Sequence, residues 1–233
     1  MGHDHDAEGA GLRMGLPRQP TAVIFDMDGL LFDTESLYQE AGGLAARDMG
    51  RELTPDLFRS LVGLPWPQAT TLLVKHFGPS FPVDVFSNGW RGHFNAIVET
   101  RLVLKPGVLE LLDRLDELGL PRAIATSSSH KTVQHHLSFH DMVERFHQVV
   151  AAGDYAAGKP APDPYLKAAE RLRVEPQFCL ALEDSHNGVR SASAAGMMTI
   201  MVPDLLEATA EIRGLCTLVV RDLHAVRSLV VGK

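Results

Sequence analysis

The sequence predicts an α/β fold built on a mostly parallel sheet, with a helical insert after its first strand. Three observations predict it. Short apolar runs end abruptly in polar residues: Ala22 to Phe25 before Asp26, Ala123 to Ala125 before Thr126, and Cys179 to Leu182 before Glu183. Runs of this length read as strands buried on both faces. Between them lie segments with a 3.6-residue apolar period, so strand and helix alternate as in parallel units joined by right-handed crossovers. From Glu35 to about Leu104 that alternation stops, and every pattern there is helical.

Element by element, the chain begins with a Gly-rich stretch, Met1 to Pro20, that includes His3-Asp4-His5-Asp6. Its composition cannot offset its own ordering entropy, so a flexible tail is expected, and Met14 is an equally good start of translation. The insert holds four helical candidates: Ser36 to Met49, Thr54 to Leu61 behind a Thr-Pro start, Pro67 to Phe77, and Pro82 to Thr100. Some 65 to 70 residues is too long for a crossover and suits a small helical domain on the sheet's edge, expected over residues 36–104. After it, Val108, Leu111, Leu112, Leu115 and Leu118 mark a helix closed by Gly119. Asp163-Pro164 starts another, through Leu172, and a third covers Ser185 to Ala195. Gln148 to Ala152, Thr199 to Val202 and Thr217 to Val220 are weaker strands. The main domain is thus expected over 21–35 and 105–233.

Composition narrows the function. With 233 residues, 45% of them hydrophobic, the chain can bury a sizeable core. Twenty-nine acidic against 22 basic residues leave a formal charge of -7, which opposes binding to nucleic acid or anionic lipid. No apolar run approaches the roughly 20 residues of a membrane span. Two cysteines, Cys179 and Cys216, are too few for a disulfide scaffold, and a cytoplasmic protein, monomeric or weakly dimeric, is the expectation.

Ligands of open parallel sheets bind at the carboxyl ends of the strands. Here the three best strands end in Asp26 with Asp28, Thr126 with Ser127, and Glu183 with Asp184. The segments Asp26-Met-Asp28-Gly29, Ala125-Thr126-Ser127, Gly158-Lys159-Pro-Ala-Pro-Asp163 and Leu182-Glu183-Asp184-Ser185 follow in that order. Together they resemble the four motifs of the haloacid dehalogenase-like hydrolases. Within that superfamily the closing motifs resemble the branch of β-phosphoglucomutase and small sugar-phosphate phosphatases. The resemblance implies a Rossmann-like core with a helical cap, and a Mg²⁺ cofactor on Asp26, Asp184 and the Asp28 main-chain oxygen. Glu183 would serve there directly or through a ligand water.

Elementary chemistry gives the residues compatible roles. A carboxylate approaching a phosphate at 4 Å meets about 4 kcal/mol of repulsion per charge pair at an effective dielectric of 20, so cations are required. Lys159 offers one, and Thr126 and Ser127 offer hydroxyl and N–H donors to phosphoryl oxygens. If Asp26 is the nucleophile, Asp28 is placed to protonate the leaving alkoxide and later to deprotonate water. Standing alone, Asp28 would read as a turn residue. Asp33-Thr34-Glu35 is expected to be structural, with at most an indirect contact to the site. His186 and Asn187 read as solvated-loop or helix-capping residues, His130 as a weaker candidate to face substrate, and His135, His136, His140 and His147 as surface residues. Cys179 reads as core packing.

Four functions compete: a Mg²⁺-dependent phosphatase on a small phosphorylated metabolite, a sugar phosphomutase, a haloacid dehalogenase and a non-catalytic binding protein. Mutase-like relatives carry a His where Tyr38 stands and an Arg near the place of Trp66, which counts against the second. The dehalogenases lack the second carboxylate, which counts against the third. The binder should have lost a motif residue, and none is missing. Substrate contacts are expected from Tyr38, from Gly63 to Trp66, and from Arg59 or His93.

Overall fold

The computed structural model describes residues 15–64 and 66–231. The expected tail falls largely outside them. Its last residues do not behave as a tail: Pro20 is buried, and the Gln19 side chain donates to Leu229 O and accepts from Val231 N.

Six parallel strands form one sheet: β1 (Ala22–Phe25), β2 (Arg122–Ala125), β3 (Gln148–Val150), β4 (Cys179–Glu183), β5 (Met198–Met201) and β6 (Leu218–Val219). Their spatial order is β3-β2-β1-β4-β5-β6. The chain builds outward from β1 in one direction, returns beside it at β4, and builds outward in the other. The strand order therefore reverses at β1, and the crevice that such a reversal opens lies at the ends of β1, β2 and β4.

Alternation along the strands divides the core between two faces. Val23, Phe25, Leu180 and Leu182 face Leu111, Leu112 and Leu115 of α5 (Val108–Glu117), Leu137 of α6 (His130–Phe139) and Val226 of α10 (Leu223–Leu229). Ala22, Ile24, Ala123, Ala125 and Ala181 face α7 (Asp163–Leu172) and α8 (His186–Ala194). That second layer is made of small side chains, and Tyr165 of α7, fully buried, is its large one. The period-2 pattern thus sets which helices cover which face. α9 (Ala210–Leu215) packs beside α8 over Val189 and Met201.

The insert forms α1 (Thr34–Asp48), α2 (Pro55–Leu61), α3 (Trp66–Phe77) and α4 (Val83–Arg101). Thr54 caps α2, its side chain accepting from Leu57 N, as its Thr-Pro start predicts. α1 lies along α4 around Trp90, whose indole nitrogen donates to Tyr38 O at 2.8 Å. Phe58, Phe86 and Tyr38 surround that indole with ring centroids 5.3 to 6.2 Å away. The insert's apolar residues continue the larger core layer.

Some elements differ from expectation. α6, α9 and α10 are absent from the sequence reading. α6 has only Val133 and Leu137 as buried apolar residues, too weak a period to stand out, and α9 and α10 are short. Asp163 does not cap α7 but is its first residue, and its carboxylate accepts from Ala157 N.

Candidate active site

The ends of three neighbouring strands bring the first, second and fourth motifs together. Asp26 follows β1, and its backbone N–H donates to Leu182 O of β4. Gly29 then takes φ 83°, and its N–H donates to Phe32 O, closing a turn that carries Asp28. A side chain at Gly29 would overlap Asp184 Oδ2, so this turn and the fourth motif need the glycine for space as well as for its dihedral.

Lys159 is the buried cation of the site. Its ammonium donates to Asp26 Oδ1 and, at 2.5 Å, to Glu183 Oε1, and it lies 5.1 Å from the centre of the Tyr165 ring. Tyr165 O–H donates to the same Glu183 oxygen at 2.7 Å. Ser185 supplies its N–H and hydroxyl to Glu183 Oε2. Each Glu183 oxygen thus holds two donors, and the carboxylate rests on Gly188, where a Cβ would overlap it. Oxygens of Asp26, Glu183 and Asp184 can lie within 4.8 Å of one another. Burial pushes the Asp26 and Asp184 carboxyls upward, against the pull of Lys159. Burial also opposes the Lys159 charge, but Asp26 and Glu183 more than restore it and hold its pKa above the usual lysine range.

Asp28 has different neighbours. Its Oδ2 accepts from Ser128 Oγ at 2.7 Å, and its Oδ1 lies 4.0 Å from His136 Nδ1. His136 is buried, contrary to the surface position expected for it, because it lies on the inner face of α6 against Phe32. Burial lowers its pKa. Thr126 is buried at the end of β2, with Oγ1 accepting from Ser128 N, and Ser127 beside it is exposed. Ser128 is the residue that motif reading missed; the Ser127-Ser128-Ser129 run after Thr126 was its only signal.

Two openings that share Tyr38 and Arg91 lie at the insert, and the second of them reaches Asp28. One, of about 360 Å³, is lined by Tyr38, Phe58, Trp66 and Trp90 with Glu35 and Arg91. The other, about 590 Å³ between α4 and α6, is lined by Asp28, Ser128, Tyr38, Arg91, Lys131 and His136. Tyr38, Gly63 and Trp66 line the first opening, and Arg59 and His93 pair with Asp56 and Asp48. His130 pairs with Asp154 at 2.9 Å. His186 and Asn187 occupy the first turn of α8, behind the Ser185 cap. Burial pushes the Cys179 thiol up to about 12, in keeping with a core residue.

A family model described as haloacid dehalogenase-like hydrolase matches residues 23–202, spanning all four motifs. The chain belongs to that family. A Drosophila melanogaster protein named "Probable pseudouridine-5'-phosphatase" is 35% identical over 197 residues, covering 80% of this chain and 83% of its own. The "Phosphorylated carbohydrates phosphatase" of Thermotoga maritima is 34% identical over 180 residues, covering 77% and 83%. The solved structure of CbbY from Rhodobacter sphaeroides, in complex with phosphate, has a TM-score of 0.69 at 26% identity over 88% of this chain and 95% of its own. This member of the hydrolase family is a phosphatase with a Rossmann-like α/β core. Among the described residues, no helix is long and apolar enough to cross a membrane.

Glu35, expected to be structural, lines the aromatic cavity and also an opening beside Asp184. Burial, with Asp204 and Asp28 nearby, pushes its pKa from 4.5 to about 7. The folded chain thus keeps a proton that the unfolded chain releases, so Glu35 lowers stability as pH rises between those values, by up to about 1.4 kcal/mol per unit. Metal-free Glu35→Gln should unfold at a higher temperature than wild type at pH 8, with the gain gone near pH 4. Thermal scans across that range check it. A difference that does not change with pH would mean that Glu35 ionises as it does in water.

Proposed function

We propose that this phosphatase hydrolyses a sugar or polyol phosphate with Mg²⁺, through an aspartyl-phosphate on Asp26. The observation that carries the reading is the different surroundings of the two first-motif aspartates. Asp26 is buried against a fixed ammonium, while Asp28 opens onto a cleft and is held by a hydroxyl.

The donor set fits the cation. Asp26, Asp28 and Asp184 offer only hard oxygen ligands, and the crowded carboxylates need more positive charge than Lys159 alone provides. Asp26, Asp184 and the Asp28 main-chain oxygen would hold it. Glu183, with both oxygens engaged by donors, orients Lys159 and would meet the metal directly or through a ligand water. When bound, the cation screens the phosphate from Asp26 and stabilises charge on its oxygens.

Lys159, Thr126 and Ser127 bind the phosphoryl oxygens. Asp26 attacks phosphorus, the bond to the leaving oxygen breaks, and Asp28 gives that oxygen its proton. Asp28 then takes a proton from the water that attacks the aspartyl-phosphate, which releases phosphate and restores Asp26. The insert acts as a cap over residues 36–104 that excludes bulk water.

The aromatic cavity supports the substrate class. Tyr38 and Trp66 are 44% and 46% exposed there, faces on which the apolar side of a sugar can lie, with Glu35 and Arg91 to meet hydroxyls. The carbohydrate and nucleoside phosphates named for the relatives agree with this class.

Phosphate release tests the reading. Activity on an aryl phosphate should vanish in excess chelator and return with Mg²⁺, and sugar or polyol phosphates should lead a panel of phosphomonoesters. Trp66→Ala should reorder that panel while sparing the aryl substrate. Full activity in chelator sinks the metal assignment. Conversion of one sugar phosphate to its isomer without phosphate release would make the enzyme a mutase.

A further inference from the structure

We infer that Asp204, in the loop after β5, is a positioning residue for the divalent cation, holding one of its water ligands from outside the coordination sphere. The inference rests on the metal assignment proposed above. Asp204 Oδ1 accepts from Lys105 Nζ at 2.6 Å, which accounts for one oxygen. Oδ2 is closed off from solvent and accepts no hydrogen bond from any of the described residues. A buried carboxylate oxygen without a donor is costly, so this one calls for a partner that the described residues do not supply.

Its direction identifies the partner. The point where a Cβ on Gly29 would stand lies 3.4 Å from Asp204 Oδ2 and within overlap distance of Asp184 Oδ2. Both free oxygens thus border the space that the missing side chain of Gly29 leaves open. Asp204 nevertheless stands outside the group of Asp26, Glu183 and Asp184, whose oxygens approach one another closely enough for direct ligation. The loop is fixed to the fourth motif by Val202 N–H, which donates to Glu183 O at 2.7 Å.

A carboxylate at this remove matches a ligand water. Mg²⁺ sheds water reluctantly and usually keeps several, whose hydrogens need acceptors. Asp204 Oδ2 is such an acceptor, oriented by Lys105 on its other oxygen. Partners of this kind typically change metal affinity 10- to 100-fold when removed.

Calorimetric titration of Mg²⁺ into chelator-stripped protein tests this without reference to turnover. Asp204→Asn should weaken binding at least 10-fold, and Asp204→Ser takes the same measurement if the asparagine variant does not fold. Lys105→Met leaves the carboxylate and removes a nearby cation, so its affinity should equal or exceed that of wild type. If Lys105→Met weakens binding as much as Asp204→Asn, the ion pair acts only by holding the loop, and the inference is overturned. Asp184→Asn separates the two layers of the argument. Loss of binding in Asp184→Asn with none in Asp204→Asn overturns the role of Asp204 alone, and loss in neither overturns the metal site itself.

Discussion

Replacing Lys159 with methionine should produce the largest stability loss of any single substitution in the site. The Lys159 side chain is 7% exposed and its ammonium is bonded to Asp26 and Glu183, whose side chains are 10% and 0% exposed. Methionine fills much the same space, so the loss is of charge and not of packing. Removing one partner from a buried ionic group typically costs about 3–5 kcal/mol, because the remaining charges have neither water nor a counter-ion. Metal-free Lys159→Met should show that cost in urea unfolding. Lowering the pH should reduce it. Without the ammonium the folded-state pKa of Asp26, already raised by burial, rises further above its unfolded value, so the fold gains proton affinity and stability as pH falls. Mg²⁺ should stabilise the variant more than it stabilises wild type, since it replaces part of the missing charge. A variant as stable as wild type in chelator would mean that water reaches these carboxylates.

Much of this site was legible because its principal residues follow directly from strands. Asp26, Thr126 and Glu183 each end or follow a buried apolar run, and a parallel sheet aligns such ends without any detailed knowledge of packing. The six strands were legible for the same reason, although β6 is short. The insert was legible as helix because Phe86, Trp90, Phe94 and Val98 repeat at helical spacing along the buried face of α4. What escaped depends on contacts between segments far apart in the chain. Tyr165 looks like any core residue of an amphipathic helix, and only the fold turns its hydroxyl toward Glu183. Ser128 lies 100 residues from the aspartate it holds. His136 was misplaced because α6 itself was not recognised, so its inner and outer faces could not be told apart. Glu35 was read as structural, and its raised pKa arises from the burial and acidic neighbours that the fold creates around it.

The two aspartates of the first motif should fail in different ways when each is changed to asparagine. Asp26→Asn removes the attacking oxygen, so no phosphoenzyme forms and turnover should fall to background. Asp28→Asn keeps a hydrogen-bonding side chain beside Ser128 and leaves the main-chain oxygen in place, but it cannot transfer a proton. On sugar phosphates that loss should be roughly 10²- to 10⁴-fold, and larger if both halves of the reaction depend on it. A substrate whose leaving group needs no proton separates the halves. With an acyl or activated aryl phosphate, Asp28→Asn should phosphorylate Asp26 and then stall, because the incoming water still needs a base. Mass spectrometry of the quenched variant should find one added phosphoryl group on the peptide containing Asp26. Wild type under the same conditions should carry less, since Asp28 clears the intermediate. A phosphoryl group on Asp28, on a serine or on a histidine would overturn the assignment of Asp26 as nucleophile. Continued turnover by Asp26→Asn would do the same, since the buried oxygen beside Lys159 would then be dispensable to the chemistry.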